Sequence, residues 1–268
     1  MTINNLYYHY TSISTLEKII TSKKVWFTDY RFLNDGHEIK HGLNKLLDNF
    51  PNERELFMDA FKLHNCQTNY CIFSMSESHE ILTQWREYAE DGSGVAIGFN
   101  KQFMNNAGIE LVKCNYNVND VNDVNEELIK KHSNFIKAVA KNTKHDNNNS
   151  MGKIQSWIKE NKEQFEACIE DTMYMKNNAF KNEQEIRAVI AVPTNEMKFR
   201  VSGELMIPYA EIALWGEEAP EFNHDSVNIS NVINEIWLGP KANCLNKTAI
   251  NMLNIKYLQI EKYDCGYI

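Results

Sequence analysis

The segment from His37 to His41 has the spacing of a zinc-binding motif. Two histidines four residues apart lie on one side of a helix and can bind Zn²⁺, while a glutamate between them activates water. Lys40, however, places a positive charge between the two histidines, and Asn34–Gly36 is typical of the turn before a helix. We therefore expect a solvated helix start with no metal. A zinc hydrolase acting through His37, Glu38 and His41 is the less favoured interpretation.

A second set of short motifs is distributed along the chain in a defined order. Each combines aromatic, hydroxyl or charged residues with the start or end of an expected strand or helix. The motifs are Tyr7–Ser12, Trp26–Thr28, Leu33–Glu38, Cys71–Ser76, Trp85–Ala89, Gly94–Phe99, Asn182–Arg187 and Ile236–Lys241. The ordered set resembles the bacterial family known as domain of unknown function 2971. The resemblance covers nearly the whole chain outside an Asn-rich stretch in the middle.

That family is similar in motif order to ADP-ribosyltransferases, which carry a His or Arg on the first strand, a Ser or Tyr element in the middle and a late Glu. The resemblance implies His9 and Glu185 as catalytic residues, with Glu183 as the first glutamate of an E-x-E motif. It also implies NAD⁺ as co-substrate, held by Tyr10, Thr11, Ser74, Ser76 and Tyr88. Because the middle element only approximates the Ser-Thr-Ser pattern, the residue that contacts the cofactor there is left open.

The chemistry of NAD⁺ cleavage suits such a set of residues. Loss of nicotinamide passes through a ribosyl oxocarbenium ion, as in glycoside hydrolysis, and nicotinamide leaves as a neutral molecule. One well-placed carboxylate, Glu185, would stabilise the developing cation. His9 would hold a ribose hydroxyl, Ser74 would orient the carboxamide side, and Tyr88 would stack on the nicotinamide ring. No metal is required.

Each of these residues also has a simpler structural interpretation. His9 lies between two tyrosines and fits a hydrogen-bonded core histidine. Tyr88 lies three residues after Trp85, a spacing typical of helix residues that pack in a core. Glu183, Glu185 and Arg187 alternate, so on a strand they would share one face, and a solvated charged face is the ordinary outcome.

The elements that must position these residues follow from hydrophobic spacing and turn residues. Strands are predicted at 6–10, 24–28, 70–74, 95–99, 186–192, around 199–207, 235–238 and 257–261. Helices are predicted at about 38–49, 52–65, 80–90 and 245–253, and Ser14–Glu17 has the pattern of a capping box that begins another. The absence of regular βαβ alternation predicts an α+β fold with a mixed, mainly antiparallel sheet and flanking helices. The family resemblance makes this fold ADP-ribosyltransferase-like.

Composition limits the remaining possibilities. A chain of 268 residues that is 43% hydrophobic is expected to fold as one domain over residues 1–268, with 117–180 as a mostly helical insertion. The net charge of -8 argues against indiscriminate nucleic-acid binding. No apolar run approaches a membrane span and the first residues lack a signal-peptide pattern, so we expect a cytoplasmic protein that binds no membrane.

The expected function is therefore an ADP-ribosyltransferase or NAD glycohydrolase, which would fit a toxin or defence role. Its partners would be NAD and an unidentified macromolecular acceptor, either protein or nucleic acid. The alternative from another class is a non-catalytic module that senses a nucleotide or binds a partner through the same cleft.

Overall fold

The computed structural model describes residues 5–33, 36–116, 126–143, 150–219, 229–253 and 255–267. Its strands are β1 Leu6–Thr11, β2 Lys24–Asp29, β3 Thr68–Ser76, β4 Val95–Asn100, β5 Val112–Lys113, β6 Glu185–Pro193, β7 Lys198–Ser202, β8 Leu205–Ala213, β9 Ile233–Leu238 and β10 Gln259–Lys262. Its α-helices are α1 Ile13–Ser22, α2 Gly36–Leu47, α3 Arg54–His64, α4 Leu82–Tyr88, α5 Lys101–Asn106, α6 Glu126–Thr143, α7 Ser150–Glu160, α8 Lys162–Met173, α9 Ile229–Val232 and α10 Leu245–Asn251.

The strands form one mixed sheet in the order β10-β9-β4-β1-β3-β2-β8-β7, with β6 paired to β3 and β5 paired to β6. The pair β9–β10 is parallel, and the other strand pairs of the described residues are antiparallel. The prediction of an α+β fold with a mixed, mainly antiparallel sheet and flanking helices is therefore confirmed.

The sheet branches at β3. Strand β6 pairs with β3 along its whole length, from Thr68 to Ser76, and so occupies one edge of it. The other edge is shared: β1 pairs with it at Ser76, whereas β2 pairs with it at Cys71 and Ile72. Because β1 and β2 contact different ends of β3, the sheet opens between them at residues 73–75.

Apolar side chains pack on both faces of the sheet, since alternate residues of a strand point to opposite faces. One core includes Phe73 of β3 with residues of α1, β2, β4 and β9. The second includes Tyr70 and Ile72 of β3 with residues of α2, α3, α6, α7 and α8. The helices found within 117–180 therefore cover one face of the sheet.

Two local predictions were wrong. Helix α1 begins at Ile13 with Ser12 as its N-cap, whose hydroxyl accepts a hydrogen bond from the Thr15 amide, so the cap lies two residues before the expected Ser14. The run around 199–207 is not one strand but part of the β7–β8 hairpin, which turns at Gly203 with a φ of 58°. Among the described residues, no helix is both long enough and apolar enough to span a membrane.

Candidate functional site

A cleft lies where the sheet opens between β1 and β2. Its first part, which we call the acidic lobe, has a volume of about 150 Å³. Its lining includes six of the residues predicted to act on NAD⁺: His9, Tyr10, Ser74, Tyr88, Glu183 and Glu185. Strand β3 separates β1 from β6, yet His9 of β1 and Glu185 of β6 both reach this lobe.

His9 is held by the backbone at the point where the sheet opens. Its Nδ1 lies 2.9 Å from the carbonyl oxygen of Ser74, and because a carbonyl only accepts, Nδ1 carries the proton. Its ring also packs on Phe73, with centroids 4.5 Å apart. Burial, reinforced by the positive charge of Arg200, lowers the pKa of His9 to about 4. The imidazole is therefore neutral near pH 7, and Nε2 is its acceptor.

Glu183 and Glu185 form a buried cluster with two cations. Lys176 Nζ lies 2.6 Å from an oxygen of each glutamate. Arg187 holds Glu185 through two hydrogen bonds, of 2.8 Å from Nε and 3.0 Å from Nη2, and donates a third to the Met173 carbonyl oxygen. Burial acts to raise the pKa of Glu185, but Arg187 and Lys176 outweigh it and lower that pKa to about 2. Glu185 is therefore an anion throughout the physiological range.

The solvated charged face expected for these glutamates is not what the structure contains. Glu183 ends the 3₁₀ helix Asn178–Glu183 rather than lying on a strand, and Gln184 follows with a φ of 48°. Both glutamates are buried: the exposed fraction of the residue surface is 7% for Glu183 and 6% for Glu185. The local reason is the left-handed turn at Gln184, which brings the two carboxylates to Lys176. Sequence reasoning missed Lys176, whose one local signal is its position directly after the apolar run Met173–Met175.

The other predicted residues differ in their access to the cleft. The Tyr10 hydroxyl donates to the Ser78 carbonyl and accepts from the Ile81 amide, at 2.8 and 3.2 Å. Ser76 is 1% exposed and donates to the carbonyl oxygen of Glu183 at 2.8 Å, so its hydroxyl positions the glutamate segment beneath the cleft. Tyr88, by contrast, is 37% exposed and lines the cleft.

A second part of the cleft, which we call the cationic lobe, continues from the first and has a volume of about 220 Å³. It shares His9, Trp26 and Tyr88, among others, with the acidic lobe. The residues found in the cationic lobe and not in the acidic lobe are Thr11, Thr15, Lys18, Ile19, Lys24 and Arg200. Thr11 is the one residue of the predicted cofactor set that lines this lobe alone. Sequence reasoning missed Arg200, which lies outside every motif used above.

Comparison with known proteins gives one match. Residues 84–188 match the model of a family described as a protein of unknown function, DUF2971. The matched stretch contains Tyr88, Glu183 and Glu185, whereas His9 and Ser74 precede it. This match supports the resemblance to that family over the matched residues. No curated protein and no solved structure matches the chain.

The zinc motif falls at the beginning of α2, which starts at Gly36. The side chains of His37, Glu38 and His41 lie outside the described residues, so the geometry of this motif stays a prediction. Elsewhere in the described part of the chain, no three or more His, Cys, Asp or Glu residues are grouped so as to hold a metal ion.

Proposed function

We propose that this chain binds NAD⁺ in the cleft and cleaves the bond between ribose and nicotinamide, as an ADP-ribosyltransferase or NAD glycohydrolase. The observation that carries the proposal is the meeting of His9, Tyr88, Glu183 and Glu185 in one small lobe, although they come from three separate regions of the chain. An ADP-ribosyltransferase-like fold belongs to the same proposal and is supported by the order of the motifs along the α+β chain.

In this proposal NAD⁺ extends through both lobes of the cleft. Ligand sites usually have volumes of roughly 300–1,000 Å³. The acidic lobe, with about 150 Å³, and the cationic lobe, with about 220 Å³, each fall below that range. A ligand of ordinary size would therefore need both lobes. The nicotinamide and its ribose would occupy the acidic lobe. The remainder of NAD⁺ would then lie in the cationic lobe, because His9, Trp26 and Tyr88 line both.

In the proposed reaction, the bond between ribose C1′ and the nicotinamide nitrogen breaks and its electron pair stays on that nitrogen. Nicotinamide leaves neutral, and the ribose becomes an oxocarbenium ion. Glu185 supplies negative charge beside this cation, and its pKa of about 2 keeps it ionised. An acceptor then bonds to C1′ through a lone pair and releases its proton to solvent.

The other side chains of the cleft would have supporting roles in this reaction. His9, neutral and with Nδ1 bound to the Ser74 carbonyl, presents Nε2 as an acceptor for a ribose hydroxyl. Tyr88 offers an exposed aromatic ring on which nicotinamide stacks. Lys176 links Glu183 to Glu185, so Glu183 would lie near the reacting carbon and would orient the acceptor.

A second candidate is a nucleotide-binding module without turnover, and one observation favours it. Both oxygens of Glu185 accept hydrogen bonds from cationic side chains, which offsets much of the charge that the oxocarbenium ion would meet. In that case the cleft would bind NAD⁺ and leave it intact.

Incubation with NAD⁺ labelled in the adenine half, with and without a cell extract, separates these possibilities. Label on a macromolecule identifies a transferase, free labelled ADP-ribose identifies a glycohydrolase, and bound but intact NAD⁺ identifies the non-catalytic module. Glu183→Gln is the informative variant, because loss of an acceptor-orienting group suppresses transfer while it spares part of the hydrolysis.

A further inference from the structure

Two cationic side chains lie close to one tryptophan ring in the cationic lobe. The guanidinium carbon of Arg200 and the Nζ of Lys18 each lie 5.3 Å from the centre of the Trp26 ring. Within the described part of the chain, neither side chain forms a salt bridge with a carboxylate. Lys24, the third cation of the lobe, is already paired with Glu218 at 2.5 Å. The lobe therefore carries positive charge for which the described residues supply no counter-charge.

Arg200 is also poorly solvated. Within the described part of the chain its one hydrogen bond runs from Nη2 to Thr28 Oγ1, at 3.0 Å, and its Nε is buried without a partner. Burial lowers the pKa of Arg200. A partly buried guanidinium without a counter-charge is energetically unfavourable. An anion that hydrogen-bonds to its outer nitrogens should therefore bind with a more favourable free energy than it would at an exposed arginine.

A nearby carboxylate does not remove this positive charge. Glu211 of β8 lies opposite Trp26 of β2 in the sheet. Its carboxylate, however, lies 2.5 Å from Lys198 and 4.0 Å from Lys24. Glu211 therefore pairs with Lys198 and Lys24, and it forms no salt bridge with Arg200 or Lys18 among the described residues.

We propose that the cationic lobe binds the diphosphate of a nucleotide, with Arg200 and Lys18 as its charged contacts. A diphosphate carries at least two negative charges, which matches two separate cations, and Arg guanidinium groups bind phosphate oxygens with directed hydrogen bonds. Thr28 is a positioning residue, because its hydroxyl orients Arg200. The placement of the diphosphate next to a ribose in the acidic lobe rests on the proposed function, whereas the anion site does not.

The test is a calorimetric titration of the full chain with inorganic pyrophosphate, ADP and adenosine. ADP should bind more tightly than adenosine, and the affinity for ADP and pyrophosphate should fall at high salt. Arg200→Gln should weaken ADP binding by about ten- to a hundredfold, the effect of losing a charge-assisted contact. Lys18→Gln, at an exposed position, should weaken it by roughly two- to fivefold. Arg54→Gln, the same kind of change on α3 outside the cleft, should leave it unchanged.

Unchanged ADP affinity in Arg200→Gln, or equal affinities for ADP and adenosine, would overturn the diphosphate site. If Arg200→Gln does not fold, the Lys18→Gln protein and the salt dependence decide. An ADP affinity that changes neither with Lys18→Gln nor with salt would then overturn the diphosphate site. These titrations require no turnover. ADP binding that depends on Arg200, without nicotinamide release, would support the diphosphate site and reject the proposed reaction. Nicotinamide release with an unaltered KM for NAD⁺ in Arg200→Gln would support the reaction and reject the diphosphate site.

Discussion

Replacement of Lys176 by Met should destabilise the fold strongly, because Lys176 separates two buried carboxylates. Its Nζ is 2.6 Å from an oxygen of Glu183 and 2.6 Å from an oxygen of Glu185, so those oxygens are no more than about 5 Å apart, twice 2.6 Å. At that separation, two negative charges repel by about 3 kcal/mol at an effective dielectric constant of 20. Breaking a buried ion pair from one side costs about 3–5 kcal/mol in general. We expect the free energy of unfolding to fall by that amount.

Urea unfolding at pH 7 measures the effect, with Lys62→Met as the matched control. Lys62 forms an exposed pair with Asp59 at 2.9 Å, and its loss should cost at most about 1 kcal/mol. The difference between wild type and Lys176→Met should shrink at acidic pH, because protonation of one carboxylate ends the repulsion. A Lys176→Met protein as stable as the Lys62→Met protein would refute the buried cluster.

Three further predictions concern Gly94, His9 and Tyr88. Gly94→Ala should lower the free energy of unfolding by about 1–3 kcal/mol, because its Cβ would overlap the carbonyl oxygens of Thr11 and Ala89; an unchanged urea midpoint would contradict this. His9 has a pKa of about 4 when folded and about 6.5 when unfolded, so its contribution to stability is complete above pH 6.5 and lost as the pH falls toward 4. His9→Gln should therefore flatten the melting temperature against pH in that window, and an unaltered slope would show that the imidazole is not held neutral. Tyr88→Ala should weaken NAD⁺ binding by roughly ten- to a hundredfold, as expected for an aromatic–base stack, while Tyr88→Phe retains it in the same titration.

Much of the secondary structure could be predicted because the cues are local. The apolar run Val95–Phe99 predicted β4, and the mainly apolar segment 186–192 lies within β6. Ambiguous cues failed: two serines two residues apart compete to cap α1, and only the structure shows that Ser12 does so. The alternation of Glu183 with Glu185 looks like a strand, since a period of two cannot reveal the left-handed turn at Gln184.

The site could be predicted in part. The motifs indicated His9, Tyr88 and Glu185, which line one lobe. The motifs did not predict that β1 and β2 pair with different ends of the same edge of β3, which is the feature that opens the cleft. Local patterns cannot reveal this pairing, because it joins distant segments of the chain. For the same reason Arg200 went unnoticed, since 174 residues separate it from Trp26 and no local pattern links them.

Nicotinamide release from NAD⁺ by the wild-type chain and by Glu185→Gln tests the central claim most directly. Glu185→Gln keeps the size of the side chain and removes the charge beside the oxocarbenium ion, so the rate should fall about 10²–10³-fold. Because Glu185 is buried against Arg187 and Lys176, the fold of the variant is checked first by circular dichroism. Release by the wild type, with that loss in a folded variant, is the result we predict. No release by the wild type, or equal rates in the two folded proteins, would contradict catalysis by Glu185.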